Sequence, residues 1–417
     1  MRIGIDGGSL ANRRGFGRFA RRIIDALEEL QARGETQHDF VLILDEPSRD
    51  RVPVPPRFEV VCAPVRQAPS EAASAQGRRS VSDLLTMSWA AASARLDVMF
   101  FPASYSFFPV WNVGAVVVMI HDTLALDFPE KIFLNARRRW FYTCKERLAA
   151  AWADRVVTGA ESAKRDLIRW FGLTEDRIDL IPEGPEPIFR PLDAHDPRVA
   201  DRRGLLSRLG IDPSAAFVLY VGGLNPHKNL VRLVEAFGLA RLELMARAPS
   251  ADFDRLQLVL VGDHRDKFAT HIPEIRAAGV RANLGDRLVL PGFVGDDDLV
   301  GLYNAALMYC HPSLMEGFGL PVAEAMACGR AVAASNAGSL PEVAGGAGLL
   351  FDPYDVADIA RALVAIVGDP GLRSDLEQRA LVRARLFHRD ETARSLIAIL
   401  ERAARDPVLG PRVRRTA

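Results

Sequence analysis

The sequence predicts an α/β protein of two doubly wound parallel-sheet domains facing each other across a cleft, and three observations carry that prediction. Short β-branched or apolar runs alternate with longer helical patterns along the whole chain, the rhythm of parallel strands covered by helices. At 417 residues the chain exceeds the roughly 100 to 200 residues of one ordinary core. Near residues 182 to 200 that rhythm stops in a proline-rich stretch of mixed charge, PEGPEPIFRPLDAHDPRV, which marks an interdomain linker.

In chain order, the first half supplies the strand-like runs RIGID, FVLIL, VMFF, AVVVMIH, RVVT and IDLIP. The second half restarts with FVLYVG and continues through LQLVLVG, RLVL, LMYCH, AVAAS and GLLF. We therefore expect an N-terminal domain over residues 1–190, a C-terminal domain over 191–385 and a terminal helix and tail over 386–417. In the last segment Ala393, Leu396, Ile397, Leu400 and Ala403 recur at helical spacing on one side. That amphipathic helix needs a surface and is expected to pack back on the N-terminal domain, with the tail LGPRVRRTA frayed. Ligands of open parallel sheets bind at the carboxyl ends of strands, so the chemistry is expected on loops that follow strands.

Composition narrows the function classes. Lysine plus arginine and aspartate plus glutamate balance at 53 each, so no global field favours nucleic acid and an anionic ligand needs local charge. Cys62, Cys144, Cys310 and Cys328 are scattered without paired spacing, as expected of reduced core thiols. The N-terminus MRIGIDGG lacks the regions of a signal peptide. The apolar run Val113–Ile120 falls far short of the roughly 20 residues of a spanning helix. A cytoplasmic protein, peripheral at most to a membrane, is the expectation.

Four stretches carry candidate chemistry. In SLMEGFGLPVAEAMACGRAVAAS, Glu316 lies on a loop, Gly317 and Gly319 flank Phe318, and Leu320 with Pro321 opens a helix running to about Cys328. Free N–H groups at that helix start suit an anion. Glu324, one turn in and expected to face the same cleft, suits the paired hydroxyls of a ribose. The bland alternative makes Glu316 a solvated loop residue and Glu324 a first-turn acid. In FVLYVGGLNPHKNLVRLVEAF a strand ends at Gly222 and Gly223, and Lys228 precedes a helix, where its ammonium can neutralise a diphosphate or simply be solvated. AVVVMIHDTLALDFPE delivers His121 and Asp122 to a strand end, where a structural histidine is the competing reading. DGGSLANRRGFGRFARRI places Gly7, Gly8, Gly15 and Gly17 before a helix, in what is either a ligand loop or a surface turn.

The glutamate pair in the setting GFGLPVAEAMACG resembles the retaining glycosyltransferases of family four, with the GT-B fold, over nearly the whole chain. The resemblance implies that Glu316 contacts the transferred sugar, Glu324 the nucleotide ribose and Lys228 the donor diphosphate. It implies His121 on the donor sugar and the glycines of the first loop, Gly15 and Gly17, near the phosphate. Gly223, Gly317, Phe318, Gly319 and Leu320 complete the donor set. Many members carry an arginine where Gly223 or His227 stands, so here the phosphates rest on Lys228, helped in part by His227. Ser339, Leu340, Pro341 and Glu342 of SNAGSLPEV fall in the stretch that follows the pair and are mainly architectural. Val261, Gly262 and Asp263 end another strand beside the expected base pocket.

The expected function is transfer of a hexose, mannose from GDP-mannose first, to a glycan or polyprenyl-linked acceptor in cell-surface polysaccharide synthesis. Departure of the diphosphate leaves an oxocarbenium-like sugar that needs cationic and polar surroundings. The resemblance implies front-face retention without a covalent adduct, no cofactor and no metal. UDP-glucose or UDP-GlcNAc as donor, nucleotide-sugar epimerisation and a phosphorylase-like reaction are the alternatives on this fold. A dehydrogenase, suggested by Asp45 after the second strand, lacks the glycine fingerprint after the first; an inactive sugar-binding scaffold is the last rival. Arg13, Arg14, Arg18, Arg21 and Arg22, and Lys131, Arg137, Arg138, Arg139, Lys145 and Arg147, form two basic clusters, the second with Trp140 and Phe141. They suit either contact with an anionic membrane or a solvated helix face.

Overall fold

The computed structural model describes residues 1–12, 15–65, 80–133, 135–264 and 271–408. They form two compact units: residues 1–184 together with the C-terminal segment from Arg389, and residues 185–388.

The first unit is a parallel seven-stranded sheet in the order β3-β2-β1-β4-β5-β6-β7. Its strands are β1 (Arg2–Asp6), β2 (Asp39–Asp45), β3 (Glu59–Ala63), β4 (Val98–Phe101), β5 (Ala115–Met119), β6 (Arg155–Thr158) and β7 (Ile178–Leu180). Principal helices are α1 (Gly15–Ala32), α2 (Val81–Ser93), α3 (Ala136–Trp152) and α4 (Glu161–Phe171). Strand β5 shows why the sheet sits in the middle. Ala115, Val117 and Met119 join the core on one face and Val116, Val118 and Ile120 the core on the other, as the two-residue period of a strand buried on both sides requires.

The sequence reading lacks β3. This edge strand leaves Val60, Val61 and Cys62 only half-buried, so it carries less of the uniform hydrophobicity that marks the interior strands.

The second unit is a parallel six-stranded sheet ordered β10-β9-β8-β11-β12-β13. Its strands are β8 (Phe217–Val221), β9 (Gln257–Val261), β10 (Leu288–Gly292), β11 (Met308–His311), β12 (Val332–Ser335) and β13 (Gly348–Phe351), all within the runs read from sequence except β10, which continues two residues past RLVL. Helices α5 (Leu230–Arg247), α6 (Ile272–Arg281), α7 (Asp296–Ala305), α8 (Leu320–Ala327), α9 (Val356–Gly368) and α10 (Pro370–Ala384) accompany it. Phe217, Leu219 and Val221 of β8 point into one core and Val218 and Tyr220 into the other.

Much of the expected linker is part of this second unit. Phe189 is buried in its core with Ile188 and Leu192 packed on it, and Leu192 N–H donates to Asn304 Oδ1 at 2.9 Å. The boundary thus falls at Gly184 rather than at residue 190, because Phe189 is a core residue within a proline-rich stretch.

The terminal helix α11 (Arg389–Arg405) belongs to the first unit, as its apolar stripe predicts. Ala393, Leu396, Ile399, Leu400 and Ala403 complete the core that holds Val98 of β4 and Val117 of β5, while Ile397 packs at its edge. Ion pairs border it: Arg389 with Glu29 at 2.5 Å, Asp390 with Arg33 at 2.7 Å, and Arg394 with Glu35 at 2.9 Å. The tail 409–417 lies outside the described residues. Of the cysteines, Cys310 and Cys328 are buried as expected, Cys62 is half-buried, and Cys144 is exposed because it lies on the open face of α3.

Candidate functional site

Each sheet order reverses chain direction at one point: between β1 and β4 in the first unit, and between β8 and β11 in the second. Loops leaving adjacent strands there diverge to opposite faces and open a crevice at the strands' carboxyl ends. The predicted residues of the second unit cluster at its switch point.

After β8 the chain makes a 3₁₀ turn, Pro226–Lys228, and enters α5 through Asn229 at φ 60°. Asparagine tolerates this left-handed conformation better than most residues. Its buried amide also donates to the carbonyls of Pro312 at 3.1 Å and Pro353 at 2.6 Å. Leu314 N–H donates to the His227 carbonyl at 2.9 Å. The Lys228 turn is thereby stitched to the loop after β11, and Lys228 Nζ meets Glu316 Oε1 at 2.6 Å.

The Glu316 loop is fixed from its other side by the stretch after β12. Ser339 Oγ donates to the carbonyls of Glu316 and Phe318, at 3.0 and 2.6 Å respectively as a shared contact. Gly338 sits at φ 60°, where an added Cβ would lie 3.0 Å from Glu316 N and O. Gly319, at φ 97°, turns the chain into α8. Leucine 320 opens that helix with Pro321 in its first turn.

His311, at the end of β11, was not singled out from the sequence. Its Nε2 lies 2.7 Å from the same Glu316 Oε1 and 3.1 Å from Ser313 Oγ. Its Nδ1 lies 2.7 Å from the Tyr309 hydroxyl. Nε2–H donates to the carboxylate, while the Tyr309 hydroxyl beside Nδ1 also reaches the Val221 carbonyl as a donor at 3.2 Å. The imidazole stacks between Tyr220 and Tyr309, with centroids 5.7 and 5.8 Å away. Burial pushes Glu316 toward protonation, but the Lys228 charge and the His311 hydrogen bond outweigh it and hold the carboxyl well below the usual range. Burial, opposed by Glu316 and reinforced by Lys228, lowers His311. The site is thus an ionised carboxylate between an ammonium and a neutral imidazole.

Other expectations meet a different geometry. Glu324 does not share the open side with Glu316: it is 0% exposed, and Tyr303 OH donates to its Oε2 at 3.2 Å. The reason is that α8 is enclosed on every side, with Val322, Ala323, Ala325 and Met326 fully buried around it. Phe318 likewise sends its ring into the core against Phe387, 5.5 Å away, leaving its backbone for a ligand. His227, expected to assist Lys228, is 6% exposed and so offers little charge to solvent. Gly223 has space, since an added Cβ would find nothing nearer than Asn225 Oδ1 at 3.6 Å. Gly317 is buried.

In the first unit, His121 leaves β5 and accepts no free role. Nδ1 lies 3.2 Å from Glu183 Oε1 and Nε2 lies 3.0 Å from the Pro102 carbonyl, which follows β4. Both partners are acceptors, so both nitrogens donate and the ring is an imidazolium. Burial opposes that charge, but Glu183, the Pro102 carbonyl and Asp122 outweigh it and raise His121. Phe16 and Phe19 flank the ring at 4.9 and 4.8 Å. Asp122 Oδ1 accepts from Leu124 N–H at 3.0 Å and so orients the loop. Gly17 has a packing reason of its own, because a Cβ there would lie 1.7 Å from the Asn12 carbonyl oxygen. Gly15 faces open space.

The basic clusters are only partly surface. Arg22 is buried, and Arg21 turns back to the carbonyls of Leu10 at 2.6 Å and Asn12 at 2.8 Å. Arg13 and Arg14 and the Lys131 side chain lie outside the described residues. Lys145 folds onto the Tyr105 carbonyl. Trp140 and Phe141 of α3 are 62% and 50% exposed, and Arg137 lies 5.7 Å over the Phe141 ring. Among the described residues no helix is long and apolar enough to cross a membrane.

Comparison with known proteins matches residues 15–184 to the family described as "Glycosyl transferase 4-like domain" and residues 202–383 to "Glycosyl transferases group 1". The O-antigen chain mannosyltransferase B of Escherichia coli is 32% identical over 291 residues, covering 68% of this chain and 69% of that protein. The chain belongs to the group 1 glycosyltransferases.

A serotype-specific mannosyltransferase of Escherichia coli is 31% identical over 281 residues, 66% of this chain, which spans about a third of that protein's length (32%). A D-inositol 3-phosphate glycosyltransferase of Acidothermus cellulolyticus is 33% identical over 60% of this chain and 53% of its own length. Sucrose-phosphate synthase from Thermosynechococcus elongatus has the same fold, with a TM-score of 0.70 at 21% identity over 96% of this chain and 98% of that one. Within this glycosyltransferase, Lys228, His311, Glu316 and Glu324 lie in the group 1 region, while Gly15, Gly17, His121 and Glu183 lie in the 4-like region.

Proposed function

We propose that this glycosyltransferase moves a hexose, mannose from GDP-mannose, to a glycan or polyprenyl-linked acceptor with retention of configuration. The observation that carries the reading is Glu316, an ionised carboxylate held 2.6 Å from Lys228 at the β8–β11 switch point. Similarity to an O-antigen chain mannosyltransferase and to a serotype-specific mannosyltransferase favours mannose.

In this reading Lys228 leaves Glu316 for the donor diphosphate, offsetting charge that grows on the leaving group. Glu316 then stabilises the cationic sugar without bonding to it, and the leaving phosphate takes the acceptor's proton. The start of α8 and the backbone of Gly317, Phe318 and Gly319 offer N–H groups to the donor. Gly15, Gly17 and His121 are further proposed donor contacts, and His121 would exchange the Pro102 carbonyl for a sugar oxygen. Glu324 anchors the ribose only once Tyr303 releases its carboxylate. No metal is required in this mechanism; loss of activity in a chelator, restored by a divalent ion, would contradict that part. The exposed Trp140 and Phe141 beside Arg137 suit anionic membrane carrying a lipid-linked acceptor, and flotation equal on neutral and anionic liposomes would remove that part.

The deciding experiment is a thermal-shift panel of GDP-mannose, UDP-glucose, UDP-GlcNAc and ADP-glucose, followed by product analysis. GDP-mannose should stabilise the protein most, in proportion to ligand concentration over Kd, and yield an α-mannoside. Stabilisation by a uridine donor alone would replace the donor assignment, and an epimerised nucleotide sugar would replace the reaction.

A further inference from the structure

Lys228 and His311 compete for one atom. Both bond Glu316 Oε1, at 2.6 and 2.7 Å. When Lys228 turns to a diphosphate, Glu316 loses its ammonium partner in a site where its side chain is only 14% exposed, and a carboxylate so enclosed needs another cation or donor. His311 is already in place. Its side chain is 1% exposed, packed beside two tyrosine rings and hydrogen-bonded at both nitrogens.

Tyr309 gives this histidine two protonation states without moving it. The hydroxyl lies 2.7 Å from His311 Nδ1 and 3.2 Å from the Val221 carbonyl. Donating to Nδ1, it supports the neutral ring. Rotated to donate to Val221, it exposes a lone pair that accepts from a protonated Nδ1. Burial keeps the phenol proton well out of reach of neutral pH.

We propose that His311 is a positioning residue, holding Glu316 while Lys228 transfers to the donor diphosphate and taking up a proton from solvent at Nδ1 as it does so. The inference rests on the donor reading above. The charged and titratable groups facing His311 among the described residues are Glu316 and Lys228 from the strand-end loops, Tyr309 from β11 and Tyr220 from β8. Without donor, burial and Lys228 keep the ring neutral against Glu316. Donor phosphates offset the Lys228 charge while Glu316 remains, so the affinity of His311 for a proton rises. The Glu316 carboxylate then faces an imidazolium in place of an ammonium.

The test is calorimetry at about pH 7 with the intact nucleotide sugar that stabilises the protein most, no acceptor present, in two buffers of different ionisation enthalpy. Its diphosphate, esterified at both ends, does not titrate near neutrality. Wild type should take up a measurable fraction of a proton, and His311→Gln should bind without uptake. In turnover, His311→Gln keeps an N–H for Glu316 and should hold kcat within about tenfold, whereas His311→Leu should lose about a hundredfold in kcat with KM changed under about threefold. Should His311→Leu not fold, wild type and His311→Gln decide by calorimetry alone. Buffer-independent heats in wild type, or uptake unchanged in His311→Gln, would overturn the inference while leaving the donor assignment standing. Absence of heat with every nucleotide sugar would overturn the donor reading and this inference with it.

Discussion

Each unit places a histidine and a glutamate together at the carboxyl edge of its parallel sheet, and the two pairs hold their protons oppositely. His121 with Glu183 and His311 with Glu316 have similar exposure, 9% with 13% and 1% with 14%. The second neighbour separates them. His121 gives its other N–H to the Pro102 carbonyl, which can only accept, so charge is favoured. His311 Nδ1 has the Tyr309 hydroxyl, which can donate as well as accept, and the ring faces Lys228 across the shared carboxylate, so charge is disfavoured. A histidine beside a glutamate therefore has no fixed chemistry; the third group decides whether the pair is a static ion pair or one that can respond to a ligand.

The strongest test of the contrast removes the third group. Lys228→Ala and Glu316→Gln should each lower kcat by about a thousandfold, equivalent to about 4 kcal/mol, measured as initial rates of sugar transfer. Equal and small losses in both would mean that the ion pair is structural and that this pair is as static as the one at His121.

The next test reads stability rather than rate. The folded value of His121 is raised, so its contribution is fully present below the unfolded value of about 6.5 and is lost as pH rises through the folded value. Wild type should exceed His121→Asn by about 1 kcal/mol at acid pH, with the gap closing as pH rises through the raised folded value in melting experiments. Glu316 is depressed, so the wild-type advantage over Glu316→Gln should be present above about pH 4.5 and fade as pH falls. Parallel pH profiles in the two variants would erase the distinction.

The smallest effect concerns the frame of the carboxylate. Gly338→Ala adds a methyl 3.0 Å from Glu316 N and O at φ 60°, and should lower kcat several-fold with about 1 kcal/mol of stability. A matched Gly→Ala change at Gly295, at φ −70° with nothing within 4 Å of an added Cβ, should do neither.

How far these features can be foreseen depends on how local their causes are. Buried parallel strands announce themselves by unbroken hydrophobic runs, which is why twelve of the runs quoted above recur in the two sheets and only the half-exposed β3 escapes. Glu316 and Lys228 were singled out because each follows a strand in a stretch that resembles the glycosyltransferase family. Their pairing joins positions 88 apart in sequence, and strand order was needed to see it. His311 ends a core strand and passes for interior packing; only its aim at Glu316 reveals otherwise. The burial of Glu324 was not legible because the motif fixes its spacing from Glu316 but not that α8 is enclosed on every side.

The terminal helix carries a consequence for how the chain matures. The core that encloses Val98 and Val117 is incomplete until Leu396 and Leu400, which follow the whole second unit in the chain, reach it, whereas residues 185–388 form one uninterrupted segment. The second unit can therefore close on its own residues, while the first waits with an apolar flank uncovered. A free chain cut before Arg389 should be trimmed by protease in its opening half and resist in its later half.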